Sequence, residues 1–209
     1  MTFDSEFKQA LQQLPSKEKD KLILRLLKRD LNLASKLRFE LVDTDSVLDK
    51  REQLQGWITM EMKRVTNEYY SAGCLLMDVR NISGRITEHV YITNDKPGEI
   101  ILNCLMIRLL LELNSNRIVN EKKGKVYSLC IYLLNRIFKI LILIQKQHED
   151  LYMEFRDDVE AIGRMVDGNS SLSQMAKYNG LDISWLVRFE IPNDIAEIYK
   201  DLRQRGLLK

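Results

Sequence analysis

The segments EIILNCLMIRLLLELN (residues 99–114) and VYSLCIYLLNRIFKILILI (residues 126–144) decide the fold, because both are apolar almost all the way round a helix. A helix can expose so little polar surface only where neighbouring elements cover most of it. The flanking sequence is charged, and its apolar residues recur at helical spacing. We therefore predict an all-α fold, an irregular multi-helix bundle with these two apolar helices at its centre.

The composition is that of a folded globular protein without a dominant charge. Of the 209 residues, 45% are hydrophobic and 30% are charged, and only 3 Pro and 9 Gly interrupt the helical stretches. The formal net charge of +2 excludes a strong overall attraction to nucleic acid or to an anionic membrane. Any such binding has to come from a local patch.

The second apolar segment has about the length of a membrane span, but its polar residues favour a buried helix in a soluble bundle. Arg136 and Lys139 would each cost about 2.5 to 3.5 kcal/mol near the centre of a bilayer, and Asn135 adds to that cost. Tyr132, Arg136 and Lys139 lie on one side of the helical wheel. We predict a core helix with a narrow wetted stripe and no membrane span.

The three cysteines, Cys74, Cys104 and Cys130, each stand alone in apolar helical sequence. This pattern and the odd number favour reduced, buried thiols over a disulfide framework. Residues 1–13 lack the basic start and apolar core of a secretory signal. We therefore expect a cytoplasmic protein.

The predicted domain organisation is a main helical bundle over residues 1–166 and a C-terminal helical cap over residues 167–209, packed on the same core. A long apolar stripe between residues 54 and 90 has two natural places to bend or break, Ser71-Ala72-Gly73 and Ser83-Gly84. The short N-terminal helices alternate like stacked helical hairpins, so a solenoid-like arrangement is the alternative for that part.

A basic stripe is the first candidate binding surface. Its members follow the spacing i, i+4, i+8, i+11, i+12 on a helix predicted over residues 16–29: Lys17, Lys21, Arg25, Lys28 and Arg29. Such a stripe can meet phosphates, acidic lipid or an acidic protein, although a solvated helix face has the same pattern. Four carboxylates form an acidic face of opposite sign: Asp150, Glu154, Asp157 and Asp158. Pairing of the two faces, within one chain or between two copies, is a hypothesis.

The stretch LPSKEKDKLILRLLKRDLNLASKLR (residues 14–38), which contains this stripe, resembles the opening of helical bacterial hypothetical proteins whose function is not established. The resemblance is confined to about the first fifth of the chain. It implies a helical start and transfers no functional residue.

A second candidate surface is the segment LSQMAKYNGLDISWLVRF (residues 172–189), which resembles a helix-turn-helix. Ala176 would let two helices approach, and Gly180 would permit the turn between them. Asn179 departs from the apolar residue usual at its place. Ser184 and Arg188 are the residues that could read bases on the second helix, and a helical hairpin closing the core is the alternative.

The sequence offers little material for catalysis. His89 and His148 lie on different segments without a Ser or Cys nucleophile in a recognised signature, and the cysteines lack the spacing of a metal site. No Gly-rich loop indicates a nucleotide cofactor. We therefore expect a non-enzymatic interaction or scaffold protein that binds a protein partner or itself and needs no metal or cofactor. A DNA-binding regulator is the alternative, ahead of an enzyme assembled from residues distant in sequence.

Overall fold

The computed structural model describes residues 3–209 and confirms the all-α prediction. This range contains eleven α-helices, one short 3-10 helix at Glu149–Leu151, and no strand. The α-helices are α1 (Ser5–Gln13), α2 (Ser16–Leu27), α3 (Leu31–Leu41), α4 (Val47–Asn67), α5 (Ala72–Thr93), α6 (Lys96–Asn120), α7 (Lys123–Gln145), α8 (Tyr152–Gly168), α9 (Ser170–Tyr178), α10 (Ser184–Val187) and α11 (Ile195–Gln204).

The chain forms two compact units. Of the described residues, the first unit consists of residues 3–44 together with Tyr91–Asn94, and the second of Asp45–Val90 together with Asp95–Lys209. The first unit contains α1 to α3, and Asp4 and Asp30 cap α1 and α3 by accepting hydrogen bonds from backbone N–H groups of the first turn. No side chain of these three helices is buried.

The second unit is a multi-helix bundle with α6 and α7 at its core, as the two apolar segments predict. Each of these two helices contributes eleven buried residues. Helices α4 and α8 pack closely against α6, and α9 and α11 pack against α7. The C-terminal helices belong to the same core, to which they contribute buried side chains such as Leu172, Ala176, Leu186, Ile195 and Leu202.

Two helices continue past places where the sequence favours a bend or an end. Helix α5 runs without a break through Ser83-Gly84, and Ser83 is buried inside it. Helix α6 continues past Asn114 to Asn120, because the buried Asn114 amide donates to Thr66 Oγ1 at 3.0 Å and to the Leu110 carbonyl at 3.2 Å. An Asn side chain often favours a helix end, but these bonds satisfy the Asn114 amide within the bundle. The predicted break near Ser71 is present between α4 and α5.

Within residues 3–209, α7 is the one helix that is long and apolar enough to cross a membrane by length and composition. Its most apolar 18 residues have a mean hydropathy of 1.8, and 56% of them are buried inside the protein. Its polar Asn135 is satisfied within the protein: the side chain donates to the carbonyls of Ile131 and Leu208 at 2.8 and 3.1 Å. Helix α7 therefore packs as a core helix of the second unit.

Candidate functional site

The five basic side chains of the stripe are all exposed. Lys17, Lys21 and Arg25 lie on α2, but this helix ends two residues earlier than predicted, so Lys28 is its C-cap and Arg29 lies beyond its last turn. The ammonium group of Lys21 forms an ion pair of 2.9 Å within its own helix, to Glu18, and both side chains remain more than half exposed. The stripe is thus a solvated basic surface with weak internal neutralisation.

The helices of the first unit also expose large apolar side chains. On α2, the exposed fractions of Ile23, Leu24 and Leu26 are 50%, 60% and 52%. On α3, Leu31 and Leu41 are 73% and 78% exposed. Isolated exposed leucines are ordinary on protein surfaces, but contiguous apolar patches on a monomer indicate a binding surface.

The segment 172–189 folds as two short helices joined by a tight turn. Ala176 is fully buried, and Gly180 adopts a φ of +78°, a left-handed conformation that favours glycine. Asn179 is buried because its side chain bonds the chain end: its Oδ1 accepts from the Leu208 N–H at 3.1 Å. This bond explains why the place is not apolar.

The second helix of that segment, α10, is only four residues long. It ends there because Arg188 is the C-cap and Phe189 follows with a φ of +55°, a left-handed conformation that closes a helix. The helix lies directly on α8: a Cβ on Gly163 would come within 2.7 Å of the Leu186 Cβ. Ser184 is half-buried and Arg188 is exposed. A base-reading helix normally presents more turns than α10 has.

The acidic face predicted on residues 150–158 lies on and before α8, and its partners within the second unit are cations of that unit. Asp158 forms an ion pair with Arg108 of α6. Asp150 lies 3.1 Å from the exposed His148 ring. On the opposite side of the helix, Phe155 and Val159 are buried, as the amphipathic pattern predicts.

His89 belongs to a buried ion-pair network. Arg51 of α4 donates to both carboxylate oxygens of Asp95, with Nε–Oδ2 and Nη2–Oδ1 distances of 2.7 and 2.5 Å. His89 Nε2 lies 3.1 Å from Asp95 Oδ2, and the Gly98 N–H donates to Oδ1 at 3.0 Å. Burial raises the pKa of Asp95, but the hydrogen bonds from His89, Arg51 and Gly98 outweigh it and hold the pKa well below 3.8. This network joins α4, α5 and the start of α6.

Two of the three cysteines are buried, and all three are free thiols. Burial raises the pKa of Cys130 to about 11 and raises that of Cys104 further. Because the thiolate is the reactive form, both side chains act as small apolar core residues. Cys74 is half-exposed.

A groove of about 690 Å³ opens on α7 of the second unit. We call it the basic groove because six of its fourteen lining residues are cations: Arg80, Arg136, Lys139, Lys146, Arg203 and Lys209. The other lining residues include Tyr132, Asn135 and Tyr199. Sequence reasoning identified Tyr132, Arg136 and Lys139 as a wetted stripe of the core helix. It missed the groove because Arg80 and Arg203 come from helices distant in sequence.

Among residues 3–209, no three His, Cys, Asp or Glu side chains converge as a metal site would require. No protein-family model, no curated protein and no solved structure matches this chain. The site residues therefore have to be interpreted from their own geometry and charge.

Proposed function

We propose that the chain is a non-enzymatic protein-interaction protein whose contact surface is formed by α1, α2 and α3. The observation that carries the proposal is that these helices bear many leucine, isoleucine and phenylalanine side chains and bury none of them. Covering apolar surface is worth about 25 cal/mol per Å², so a partner that covers these side chains gains free energy. Such a surface is typical of one side of a protein–protein interface and unusual for a surface that only contacts solvent.

The charge on α2 defines the chemistry of the partner. The basic stripe borders the exposed leucines. Successive residues of a helix are 100° apart, and this places Leu24 at the edge of the stripe. A complementary protein surface therefore has an apolar strip flanked by Asp and Glu side chains. The opposite charges would steer the encounter and set the register, while the apolar contact supplies most of the affinity. A second copy of the chain can be this partner through its acidic face.

The test compares two variants of the full chain with a matched control. Lys21→Glu/Arg25→Glu reverses the stripe, Ile23→Asp/Leu26→Asp interrupts the apolar strip that these two exposed side chains form at i, i+3 on α2, and Lys63→Glu/Lys200→Glu reverses two exposed cations of the second unit. Each protein is used to capture partners from nuclease-treated native lysate, and the captured proteins are quantified by mass spectrometry. Sedimentation velocity of the purified proteins measures self-association.

We expect the wild type and the Lys63/Lys200 control to retain the same acidic partner, or the same dimer, after nuclease treatment. The stripe and strip variants should each reduce its recovery at least about tenfold, as the loss of roughly 1.4 kcal/mol of interface energy would do. Equal recovery by all four proteins contradicts the proposal. Two other results also contradict the proposal. One is a partner that is recovered from untreated lysate but not after nuclease treatment. The other is a chain that captures no protein and instead sediments with anionic vesicles.

Duplex-DNA binding through Ser184 and Arg188 is the second candidate function. The buried Ala176 and the left-handed Gly180 favour it, because the motif needs both. An electrophoretic shift of duplex DNA that weakens with salt and disappears in Arg188→Ala would support this function. A shift that Arg188→Ala leaves unchanged would exclude this segment as the contact.

A further inference from the structure

We propose that the basic groove of the second unit binds a phosphate-bearing ligand with several negative charges, a small organic phosphate or the phosphorylated headgroup of a lipid. The groove lies on α7, and Arg80 of α5 and Arg203 of α11 also line it. The inference is independent of the protein-interaction surface on α1 to α3, because every lining residue belongs to the second unit.

The charge of the lining is the first argument. Six cations line the groove, and no Asp or Glu side chain does. Lys139 is partly neutralised by Glu99, with an Nζ–Oε1 distance of 2.6 Å. Within the part of the chain that the structure describes, the other five cations form no ion pair. Like charges in one concave surface repel each other and focus a positive potential, which an anion would neutralise.

The arrangement of the arginines is the second argument. The ring of Tyr132 lies near two guanidinium groups, with centroid distances of 5.1 Å to Arg136 and 5.8 Å to Arg80. Arg136 Nε also donates to the Tyr132 hydroxyl at 3.0 Å. This fixes the plane of the Arg136 guanidinium and leaves its two terminal nitrogens without a protein partner among residues 3–209. A planar, oriented guanidinium is suited to bidentate binding of phosphate.

The part of the lining that α11 contributes is held in place by a second hydrogen-bond chain. The Tyr199 hydroxyl donates to Asn135 Oδ1 at 2.7 Å, and Asn135 in turn donates to the Leu208 carbonyl at 3.1 Å. Arg203 lies 5.9 Å from the centroid of the Tyr199 ring. Because Tyr199 and Asn135 connect α11 to α7, Arg203 faces the same space as Arg136 without a rearrangement of the helices.

The size and the apolar portion of the groove set the class of ligand. A volume of about 690 Å³ lies in the range of about 300 to 1,000 Å³ that is usual for small-molecule sites. Ser128 and four apolar residues, Ile131, Ile142, Leu143 and Leu208, complete the lining, so the groove can hold the carbon skeleton of a ligand as well as its phosphates. A nucleic-acid strand is instead recognised by a basic track that continues along many phosphates.

The experiment titrates inorganic tripolyphosphate into the full-length chain by isothermal titration calorimetry. Arg136→Gln/Arg203→Gln removes two groove cations. Lys125→Gln/Lys200→Gln is the matched control, because it removes the same charge from exposed positions on the same two helices outside the groove. Circular dichroism checks the fold of each variant. Arg136→Lys/Arg203→Lys keeps the charge and loses the guanidinium geometry.

We expect saturable one-to-one binding that the groove variant weakens at least about tenfold, because it removes two guanidinium groups that can form charge-assisted hydrogen bonds to phosphate. The control should change the affinity less than about twofold, and the lysine variant should fall between them. Tripolyphosphate should also raise the melting temperature of the wild type and of the control. If the glutamine variant folds poorly, the Arg136→Lys/Arg203→Lys variant keeps the test decisive, because it retains the charge of the groove.

The source of the phosphate is distinguished by vesicles of phosphatidylcholine with phosphatidylinositol 4,5-bisphosphate. If the chain sediments with these vesicles and tripolyphosphate abolishes the sedimentation, the ligand of the groove is a lipid headgroup. If the chain binds tripolyphosphate but does not sediment with the vesicles, the ligand is a soluble phosphate. Absence of saturable binding overturns the proposal, and so does equal weakening by both double variants. The proposal would also be overturned if the chain bound single-stranded RNA more tightly than tripolyphosphate and both double variants weakened that binding equally. The positive charge of the whole protein surface, and not the groove, would then attract the anion.

Discussion

Replacing Asp95 by Asn tests whether the buried ion-pair network stabilises the second unit. The Asp95 side chain is 2% exposed and that of Arg51 is 17% exposed, so both charges of the pair are largely removed from water. Asn keeps the size of the side chain and can still accept the hydrogen bond from the Gly98 N–H. The substitution therefore removes the negative charge and leaves Arg51 without its partner.

The expected cost follows from that unpaired charge. Breaking a buried ion pair by removing one partner costs about 3 to 5 kcal/mol, and the residual exposure of Arg51 places this pair near the lower end. We therefore expect Asp95→Asn to lower the free energy of unfolding by about 3 kcal/mol at pH 7. Ser46→Ala is the control, because Ser46 caps α4 but is exposed and joins no buried pair. Its loss should be about 1 kcal/mol.

The dependence on pH separates the ion pair from a packing defect. The folded-state pKa of Asp95 lies below the unfolded value of 3.8, so the folded protein binds fewer protons and the pair stabilises it above that pH. As the pH falls from about 5 through 3.8 toward the lowered pKa, this advantage is lost. The difference in unfolding free energy between the wild type and Asp95→Asn should therefore shrink in acid. Protonation of the other carboxylates affects both proteins equally and cancels in this difference.

Urea unfolding followed by circular dichroism, at several pH values between 7 and 3, measures both effects. A loss at pH 7 no larger than that of Ser46→Ala would refute the reasoning. A large loss that stays constant down to pH 3 would also refute it, because a defect without an ionisable group does not respond to protons. Unchanged slopes of the unfolding curves show that the comparison is between equivalent states.

Three further outcomes follow from the packing of the second unit. Gly163→Ala should lower stability by about 1 to 3 kcal/mol in urea unfolding, because its methyl group would overlap α10. Gly84→Ala, an exposed mid-helix position with open space around it, should raise stability by about 0.5 to 1 kcal/mol, and a loss there would contradict the packing described. With a thiol reagent at pH 8, the native protein should react at Cys74 well before Cys104 and Cys130, and all three should react at once in urea.

The central helices could be predicted from the sequence because their apolar residues leave no polar face to expose. The ends of the helices were harder to predict, since they depend on bonds to residues distant in sequence. Asn114 ends a helix by local preference, but Thr66 satisfies its amide and α6 continues. Ser83 and Gly84 favour a bend locally, but α5 passes through both without a break.

The candidate sites were predictable only in part for the same reason. The basic stripe lies on one helix, so its residues share a face that the 3.6-residue period reveals. The basic groove combines side chains of α5, α7 and α11, and no spacing in the sequence brings Arg80 and Arg203 together. The available signal was the presence of Tyr132, Arg136 and Lys139 on an otherwise apolar helix, because a cation on a core helix has to reach solvent or a polar partner.

The absence of buried side chains in α1, α2 and α3 would couple their folding to the proposed binding. Isolated helices of 9 to 12 residues are marginal in water, and these three add no buried side chain that would stabilise them, so we expect them to have low local stability. A partner that needs them helical binds only the helical fraction, and its apparent affinity falls with that fraction. Ser35→Ala, on the exposed side of α3, raises helix propensity by about 0.5 kcal/mol and would tighten binding up to about twofold. Affinity for the partner could thus be adjusted by residues that never touch it.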